Sequence, residues 1–291
     1  MAAPTQQILV NCYQIDCSTP LWYIQYAIHN KWNLPQQVPG AVEAMDLEAA
    51  RARLMRQLAH EISDKKVLDV MGRVPRELFV PISSQHAAYE NVPLPIDMGQ
   101  TISQPLIVGV MTEALDLEGN EKVLEVGTGS GYQAAILAEL ARRVVSVERH
   151  QKLAEGARKV LSLLGYRNVE IHIAGEKIGW EKEAPYDAII VTAGAPSVPP
   201  GLVDQLAVGG RLVIPVGTPF EQDLIKVIRH RDRTEHINLG PAVSFPSSAR
   251  AAGKRNRRER VAPLRLMLTV LRDVYTVIYN SVALPSILTS P

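Results

Sequence analysis

The first regular pattern of hydrophobic residues begins near Met45 and has the period of an amphipathic helix. Its apolar members recur at three- and four-residue steps: Leu47, Ala50, Leu54, Leu58 and Ile62. A second helical pattern, "KKVLDVMGRV", ends at Pro75. The segment 76–104 that follows is punctuated by prolines and a glycine and has no sustained period. We predict a long connection there, of the kind that is usually functional.

From Leu106 onward, short apolar runs alternate with helical patterns. The predicted helices cover 106–115, 132–140 and 151–164, with a short helix after the double proline at 199 and 200. The strand-like runs between them are "KVLEV", "RVVSVE", "NVEIHIA", "YDAIIVTA" and "GRLVIPVG". Apolar strands separated by helices form parallel sheets that are covered on both faces. The pattern predicts an α/β fold with a doubly wound, mostly parallel sheet, and the runs "DLIKVIRH" and "TEHINLG" suit an antiparallel edge.

The composition is that of a globular protein with a sizeable core. Of 291 residues, 46% are hydrophobic and 21% are charged. Cys12 and Cys17 are the two cysteines of the sequence, so neither a disulfide framework nor a zinc cluster is expected, and no metal site is predicted. The sequence lacks a secretory signal pattern and an apolar run of the roughly 18 residues that span a membrane. We expect a cytoplasmic protein without a membrane partner.

Charge is unevenly distributed along the chain. The net charge is +1, but residues 250–291 carry eight Lys or Arg against two acidic residues, which gives +6 there and leaves −5 for residues 1–249. The basic run "KRNRRER" has no interleaved aromatic residues for base stacking, so we interpret it as a solvated linker. A nucleic-acid partner is not expected. We expect a monomer, with the apolar stretch 264–288 docked on the body or, as an alternative, paired with another chain.

Three segments follow from these patterns. Residues 1–44 are rich in Gln, Asn, Pro and aromatic residues and are predicted to form a loosely ordered extension. Residues 45–240 contain the helical and strand patterns and are predicted to form the folded domain. Residues 241–291 form a second extension, basic and then apolar.

The turn after the first long apolar strand has the composition of a ligand-binding loop. In "VLEVGTGSGY", Gly127, Gly129 and Gly131 follow a buried strand and precede a helix, where glycine lets the turn tighten and the backbone approach a ligand. The dinucleotide fingerprint G-x-G-x-x-G would need a glycine at Tyr132. The observed spacing is G-x-G-x-G, which disfavours a dinucleotide.

Two carboxylates refine this prediction. Glu125 lies two residues before Gly127, where it would repel a pyrophosphate but attract an ammonium or sulfonium group, which favours S-adenosyl-L-methionine as the cofactor. Glu148 ends the next strand, about 20 residues beyond the glycines, where a carboxylate can accept both ribose hydroxyls. Each feature has a plainer explanation, because packing alone can require the glycines and Glu148 could be a solvated strand end.

Several longer motifs resemble one family, the protein-L-isoaspartate O-methyltransferases, which repair aged proteins. The resemblance covers about 45–240 and includes "RVPRELFVP", "VLEVGTGSGYQAAILA", "VVSVER", "YDAIIVTAGAP" and "LAVGGRLVIPVG". Its most specific part is "GQTISQP", which follows "YENVPLPI" closely. The family implies a Rossmann-like methyltransferase domain. It also implies methyl transfer from S-adenosyl-L-methionine to the α-carboxylate of L-isoaspartyl residues in proteins and peptides, giving an ester that closes to succinimide and reopens partly to aspartate.

The resemblance also implies roles for individual residues. Those that match the family's cofactor site are Gly127, Gly129, Gly131, Glu148 and Glu176, the last at a position that would meet the adenine. Those that match its substrate loop, or would border the site, are Gln100, Ile102, Ser103, Pro105, Ala193 and Pro196. Ser103 is expected to lie nearest the accepting carboxylate. As an alternative, Ser103 would cap the helix that opens near Pro105.

Departures from the family pattern keep other functions open. The family usually has Gly-Asp where this chain has Gly175-Glu176. Its usual final strand resembles "VRFVPL", whereas this chain continues after Pro241 with "AVSFPSSARAAGKRNRRER". Residues 1–44 match nothing in the family. The alternatives are a small-molecule methyltransferase that uses S-adenosyl-L-methionine, and an inactive cofactor-binding protein of the same fold.

Overall fold

Short strands and helices alternate along most of the described chain. The computed structural model describes residues 47–218 and 221–242. The helices are α1 (Leu47–Leu58), α2 (Lys65–Arg73), α3 (Pro105–Glu113), α4 (Tyr132–Leu140), α5 (Gln151–Leu163) and α6 (Pro200–Val203). The strands are β1 (Leu94–Pro95), β2 (Thr101–Ile102), β3 (Lys122–Val126), β4 (Arg143–Glu148), β5 (Val169–Ile173), β6 (Tyr186–Val191), β7 (Leu206–Thr218), β8 (Glu221–Arg229) and β9 (Thr234–Pro241).

A seven-stranded sheet forms the centre of this part of the chain, in the order β5-β4-β3-β6-β7-β8-β9. The first five strands in this order are parallel, and β8 and β9 pair antiparallel at one edge. The central strands are apolar because both of their faces are covered; Leu124 and Ile190, for example, are fully buried. The α/β doubly wound sheet with an antiparallel edge, predicted from the sequence, is confirmed.

The order of the strands marks where a ligand is expected. The chain moves outward from β3 through β4 to β5, then returns to the other side of β3 with β6 and β7. In such sheets ligands bind outside the carboxyl ends of the strands, at the point where the order reverses. The carboxyl ends of β3, β4 and β6 meet at this point.

Helices pack on the sheet through the faces that the sequence pattern predicts. In α5 the buried residues recur at helical steps: Leu153, Ala154, Ala157 and Leu161. Helix α4 is buried almost all round, which is why its sequence is apolar throughout and carries little helical periodicity. Among the described helices, none is long and apolar enough to cross a lipid bilayer.

The segment 76–104 contains more regular structure than the sequence pattern suggested. It forms two short 3-10 turns, Arg76–Phe79 and Ile82–Ala87, followed by a small hairpin in which β1 and β2 pair antiparallel. We call residues 94–102 the substrate hairpin, because the resemblance implies a substrate-binding role for two of its residues, Gln100 and Ile102. The predicted extensions, 1–44 and most of 241–291, lie outside the described residues.

Candidate active site

The glycine loop, residues 127–131, lies at the carboxyl end of β3, at the point where the strand order reverses. All three of its glycines have positive φ, with 103° at Gly127. A side chain at Gly127 would overlap the Thr192 hydroxyl, which donates a hydrogen bond to the Gly127 carbonyl over 2.6 Å. At Gly131 a Cβ would lie 3.1 Å from the Ala157 Cβ of α5. Both glycines are therefore required by the fold, whatever the loop binds.

Replacing Gly127 with alanine is expected to destabilise the protein by about 1 to 3 kcal/mol, because the backbone is left-handed and the Thr192 hydroxyl occupies the space. Thermal or denaturant unfolding measures this loss. The matched control is Gly156→Ala in α5, where a Cβ would meet no atom within 4 Å. That change should stabilise by about 0.5 to 1 kcal/mol. Equal effects of the two substitutions would contradict this account of the loop.

Glu148 holds the glycine loop in place. Its carboxylate accepts hydrogen bonds from the backbone N–H of Gly129 over 2.8 Å and of His150 over 2.9 Å, and the residue is 5% exposed. The structure thus excludes the solvated strand end that the sequence left open. Each carboxylate oxygen retains a further lone pair. Contact with ribose hydroxyls stays a prediction that this geometry allows.

Glu125 lies beneath the loop, inside the sheet. It is fully buried, and its Oε2 accepts a hydrogen bond from Ser146 over 2.5 Å, while Ser146 lies 2.5 Å from the Thr128 hydroxyl. Burial raises the pKa of Glu125 to about 8, with a smaller contribution from the negative charge of Glu148. This carboxyl group is thus enclosed by the protein and hydrogen-bonded to Ser146. Contact between Glu125 and a cofactor stays a prediction.

The raised pKa of Glu125 makes folding stability depend on pH. The folded chain holds a proton on Glu125 up to about pH 8, whereas the unfolded chain releases it near pH 4.5. The unfolding free energy should therefore fall as pH rises from about 5 to 8, because the folded state binds more protons in this window. Glu125→Gln should flatten this slope in denaturant titrations at several pH values. The control Glu61→Gln, at an exposed position, should leave the pH dependence unchanged. An unchanged slope in Glu125→Gln would show that Glu125 is not the source of the pH dependence.

The substrate hairpin lies over the glycine loop. The Ile96 Cδ1 is 3.7 Å from the position that a Cβ on Gly129 would take, and Lys152 of α5 forms an exposed ion pair with Asp97 at the hairpin tip over 2.9 Å. The tip is a tight turn in which Met98 and Gly99 have φ of 59° and 67°. The structure therefore brings together two loops that lie about 30 residues apart in the sequence.

The predicted substrate residues of this segment differ in exposure. Ile102 is 5% exposed and Pro105 is also buried, so their side chains hold the segment against the core. Gln100 is half-buried beside the turn, and its side chain donates to the Met98 carbonyl over 3.3 Å. Direct contact of any of these three side chains with a substrate stays a prediction.

Ser103 lies between the hairpin and α3. Helix α3 begins at Pro105, and Gln104 is its N-cap residue. The Gln104 side chain makes no capping hydrogen bond to the helix. Instead the Asn91 side chain accepts the Leu106 N–H over 3.0 Å. The capping function that the sequence offered as an alternative for Ser103 is therefore supplied by Asn91. The Ser103 side chain is half-buried, and its hydroxyl has no hydrogen-bond partner within the described ranges.

The segment after β6 begins beside the glycine loop, where the Thr192 hydroxyl donates to the Gly127 carbonyl. Ala193 and Pro196 are half-buried there, and Ala195 between them is fixed to β7 by the hydrogen bond of its N–H to the Pro215 carbonyl over 3.0 Å. Glu176 is exposed in the loop after β5, at the same edge of the sheet. The roles predicted for Ala193, Pro196 and Glu176 stay predictions.

Three polar residues of the site were not singled out from the sequence. Ser146 and Thr128 link Glu125 to the glycine loop, and Arg76 donates a hydrogen bond to the Ser103 carbonyl. A serine within the apolar strand "RVVSVE" was a usable signal, since a buried hydroxyl needs a partner. Arg76 stands in the motif "RVPRELFVP", but an arginine is ordinarily interpreted as a surface residue.

A cluster of possible metal ligands lies on β5 and the turn near β6. Glu170, His172 and Glu183 have ligand atoms within 4.8 Å of one another. However, Arg143 pairs with both carboxylates, at 2.7 Å from Glu170 and 2.7 Å from Glu183. Because a fixed cation already neutralises these charges, the geometry favours an ion-pair network over a metal site.

Comparison with known proteins identifies the family. The sequence model of the family described as protein-L-isoaspartate(D-aspartate) O-methyltransferase matches residues 49–248. The chain belongs to this family. The resemblance proposed from the motifs is thereby confirmed, and the match extends a few residues beyond the predicted end of the domain.

Relatives and solved structures agree with this membership. The protein-L-isoaspartate O-methyltransferase 1 of Syntrophobacter fumaroxidans is 50% identical over 198 residues, which cover 67% of this chain and 92% of the relative. The protein-L-isoaspartate O-methyltransferase of Geobacter metallireducens is 54% identical over 190 residues, which cover 65% of this chain and 88% of the relative. A solved structure named protein-L-isoaspartate O-methyltransferase is 28% identical with a TM-score of 0.59; the match covers 67% of this chain and 64% of that one.

A further solved structure supports the fold. It is a putative protein-L-isoaspartate O-methyltransferase from Plasmodium falciparum in complex with S-adenosyl-L-homocysteine. The identity is 24%, the TM-score is 0.58, and the match covers 68% of this chain and 95% of that one.

Proposed function

We propose that this chain transfers a methyl group from S-adenosyl-L-methionine to the α-carboxylate of L-isoaspartyl residues in damaged proteins and peptides. The resulting ester would close to a succinimide, which begins the repair of the damaged residue. The observation that carries this proposal is the position of the substrate hairpin over the glycine loop, with Ile96 against Gly129. A methyltransferase acting on a small molecule would have no need of this hairpin.

The residues present fit the proposed cofactor. The left-handed glycine loop keeps side chains away from the carboxyl end of β3, and Glu148 is held by two backbone N–H groups with lone pairs to spare. Glu148 would bind the ribose hydroxyls, the glycine-loop backbone would lie along the cofactor, and Glu176 would lie near the adenine. When bound, S-adenosyl-L-methionine supplies an electrophilic methyl group on a sulfonium.

On the substrate side, the chemistry requires orientation more than acid–base catalysis. An α-carboxylate has a reference pKa of about 3.5 and is anionic at neutral pH, so no general base is needed. The Ser103 hydroxyl, free of other partners among the described residues, would donate a hydrogen bond to this carboxylate and orient it. Gln100, Ala193 and Pro196 would border the peptide around it. Holding the attacking oxygen in line, at about 3 Å, can supply several kcal/mol of rate acceleration.

Two measurements test the proposal. Calorimetric titration with S-adenosyl-L-homocysteine should show binding, and a methylation assay should show transfer to an isoaspartyl peptide but not to the same peptide with normal aspartate. Cofactor binding without transfer to either peptide would favour an inactive binding protein. Transfer only to small carboxylic acids would favour a small-molecule methyltransferase.

The location and oligomeric state belong to the same proposal. We infer a cytoplasmic monomer, supported by the sequence, in which the two cysteines offer no disulfide framework. Light scattering on the purified chain measures the oligomeric state, and a dimer mass would contradict this part of the proposal.

A further inference from the structure

Arg76 is a buried cation that contacts Ser103, the residue directly after the substrate hairpin. It is fully buried, its Nε donates to the Ala88 carbonyl over 3.0 Å, and its Nη2 donates to the Ser103 carbonyl over 2.8 Å. Its Nη1 is buried with no hydrogen-bond partner. No carboxylate pairs with it within residues 47–218 and 221–242.

The same guanidinium also contacts the helix that follows the glycine loop. Its central carbon lies 4.8 Å from the ring centroid of Tyr132, the first residue of α4 and the residue directly after Gly131. Tyr132 is itself 2% exposed and packs edge-on against Phe79. Arg76 therefore touches the residue proposed to orient the substrate and the residue that follows the cofactor loop.

Burying Arg76 without a carboxylate partner lowers the free energy of unfolding. An unpaired charge in the protein interior is destabilising, and an apolar side chain of similar volume would fill the same space at lower cost. Arginine offers what a hydrophobic residue lacks, namely a rigid planar fork whose N–H groups fix the directions of two carbonyls. The fork here spans the Ala88 and Ser103 carbonyls while its face rests on Tyr132.

We propose that Arg76 is a positioning residue for methyl transfer, which sets the distance between Ser103 and the glycine loop. The inference rests on the proposed function of the chain. In this proposal Arg76 touches neither substrate nor cofactor. It holds Ser103 and the residue after the glycine loop in place, and these border the substrate and the cofactor. Since a displacement of about 1 Å can cost about 100-fold in rate, a tether of this kind acts mainly on turnover.

Geometry, and not charge, is the property that matters. During transfer the carboxylate loses its negative charge, so a nearby cation would favour the bound substrate more than the transition state. If Arg76 acted through its charge, its removal would therefore raise KM. If Arg76 acts by holding Ser103 in position, its removal lowers kcat, and lysine, which keeps the charge but lacks the planar fork, does not restore kcat.

The experiment compares Arg76→Lys and Arg76→Met with the parent chain. Methyl transfer from S-adenosyl-L-methionine to an isoaspartyl peptide gives kcat and KM, and titration with S-adenosyl-L-homocysteine gives the cofactor affinity. The matched control is Arg229→Met. Arg229 also ties backbone carbonyls, those of Val203, Asp204 and Leu206, but it does so at the opposite edge of the sheet from the glycine loop. Turnover is expressed per cofactor-binding site, so that any unfolded fraction does not enter the rate.

Both Arg76 variants are expected to lose about 10- to 100-fold in kcat, with KM and the affinity for S-adenosyl-L-homocysteine within about threefold of the parent. Arg229→Met should lower the melting temperature and leave kcat unchanged. Hydrogen exchange of peptides covering 96–105 should be faster in Arg76→Met than in the parent.

Three results would overturn the inference. One is a parent-like kcat in Arg76→Met, and another is full rescue of kcat by lysine. The third is a loss of cofactor affinity as large as the loss of kcat, which would make Arg76 an ordinary core anchor. Failure of the proposed function looks different, because the parent chain itself would then transfer no methyl group to the isoaspartyl peptide.

Discussion

Glu148→Ala should weaken the binding of S-adenosyl-L-homocysteine by roughly 10- to 100-fold. Loss of a charged hydrogen-bond acceptor costs about 1.5 to 3 kcal/mol, and each 1.4 kcal/mol corresponds to about a tenfold change in affinity. The substitution also leaves the half-buried N–H groups of Gly129 and His150 without their acceptor. Isothermal titration calorimetry gives the affinity directly.

Two further variants separate these effects. Glu148→Gln keeps one acceptor oxygen for the loop but loses the charge, so its loop should be more stable than that of Glu148→Ala while its affinity stays reduced. Glu170→Ala, which removes an exposed glutamate from the neighbouring strand β5, should leave the affinity unchanged. Parent-like affinity in Glu148→Ala would restrict Glu148 to holding the loop.

Ser103→Ala should lower kcat for an isoaspartyl peptide by roughly 10- to 100-fold, with cofactor affinity and melting temperature close to those of the parent. The hydroxyl is the group proposed to orient the carboxylate, and misplacement of a reacting group is costly at this scale. Stability should hold because α3 is capped through Asn91 and not through Ser103. Steady-state kinetics and a thermal melt measure the two quantities.

Ser103→Thr sharpens this test. Threonine retains the hydroxyl but adds a methyl group beside Ile102 and Pro105, which are both buried. Turnover should fall while the melting temperature stays near that of the parent. If the Ser103→Ala and Ser103→Thr variants both methylate the peptide at the parent rate, Ser103 does not lie at the reaction centre.

The sheet was predictable from the sequence because burial on both faces produces apolar runs of strand length. "KVLEV" and "RVVSVE" correspond to β3 and β4 without a shift of either end. Helix α4 was also predicted with its correct bounds, since Gly131 fixes its start. The predicted end of the first helix was less accurate: Ile62 continues the apolar pattern, yet α1 ends at Leu58 and Ile62 is buried beyond it.

The parts that the sequence did not predict depend on tertiary contacts. Strands of two residues are too short to show the alternation of apolar and polar residues that predicts a strand, so the sequence did not predict the hairpin within this proline-rich segment. Met98 takes a left-handed conformation that its residue type does not favour. The burial of Glu125 and Arg76 is also invisible in the sequence, because their polar partners come from the Ser146 and Ser103 regions, about 20 and 30 residues away.

The paired backbone of the substrate hairpin has a consequence for the entropy of substrate binding. Ile96 donates its N–H to the Gln100 carbonyl over 2.8 Å, and Gln100 donates to the Asp97 carbonyl over 3.2 Å. Fixing the backbone of one residue costs about 1 to 2 kcal/mol, so ordering the whole hairpin costs on the order of 10 kcal/mol. That entropy is lost when the chain folds and not when a damaged peptide arrives, which leaves more of the contact energy for holding the peptide itself.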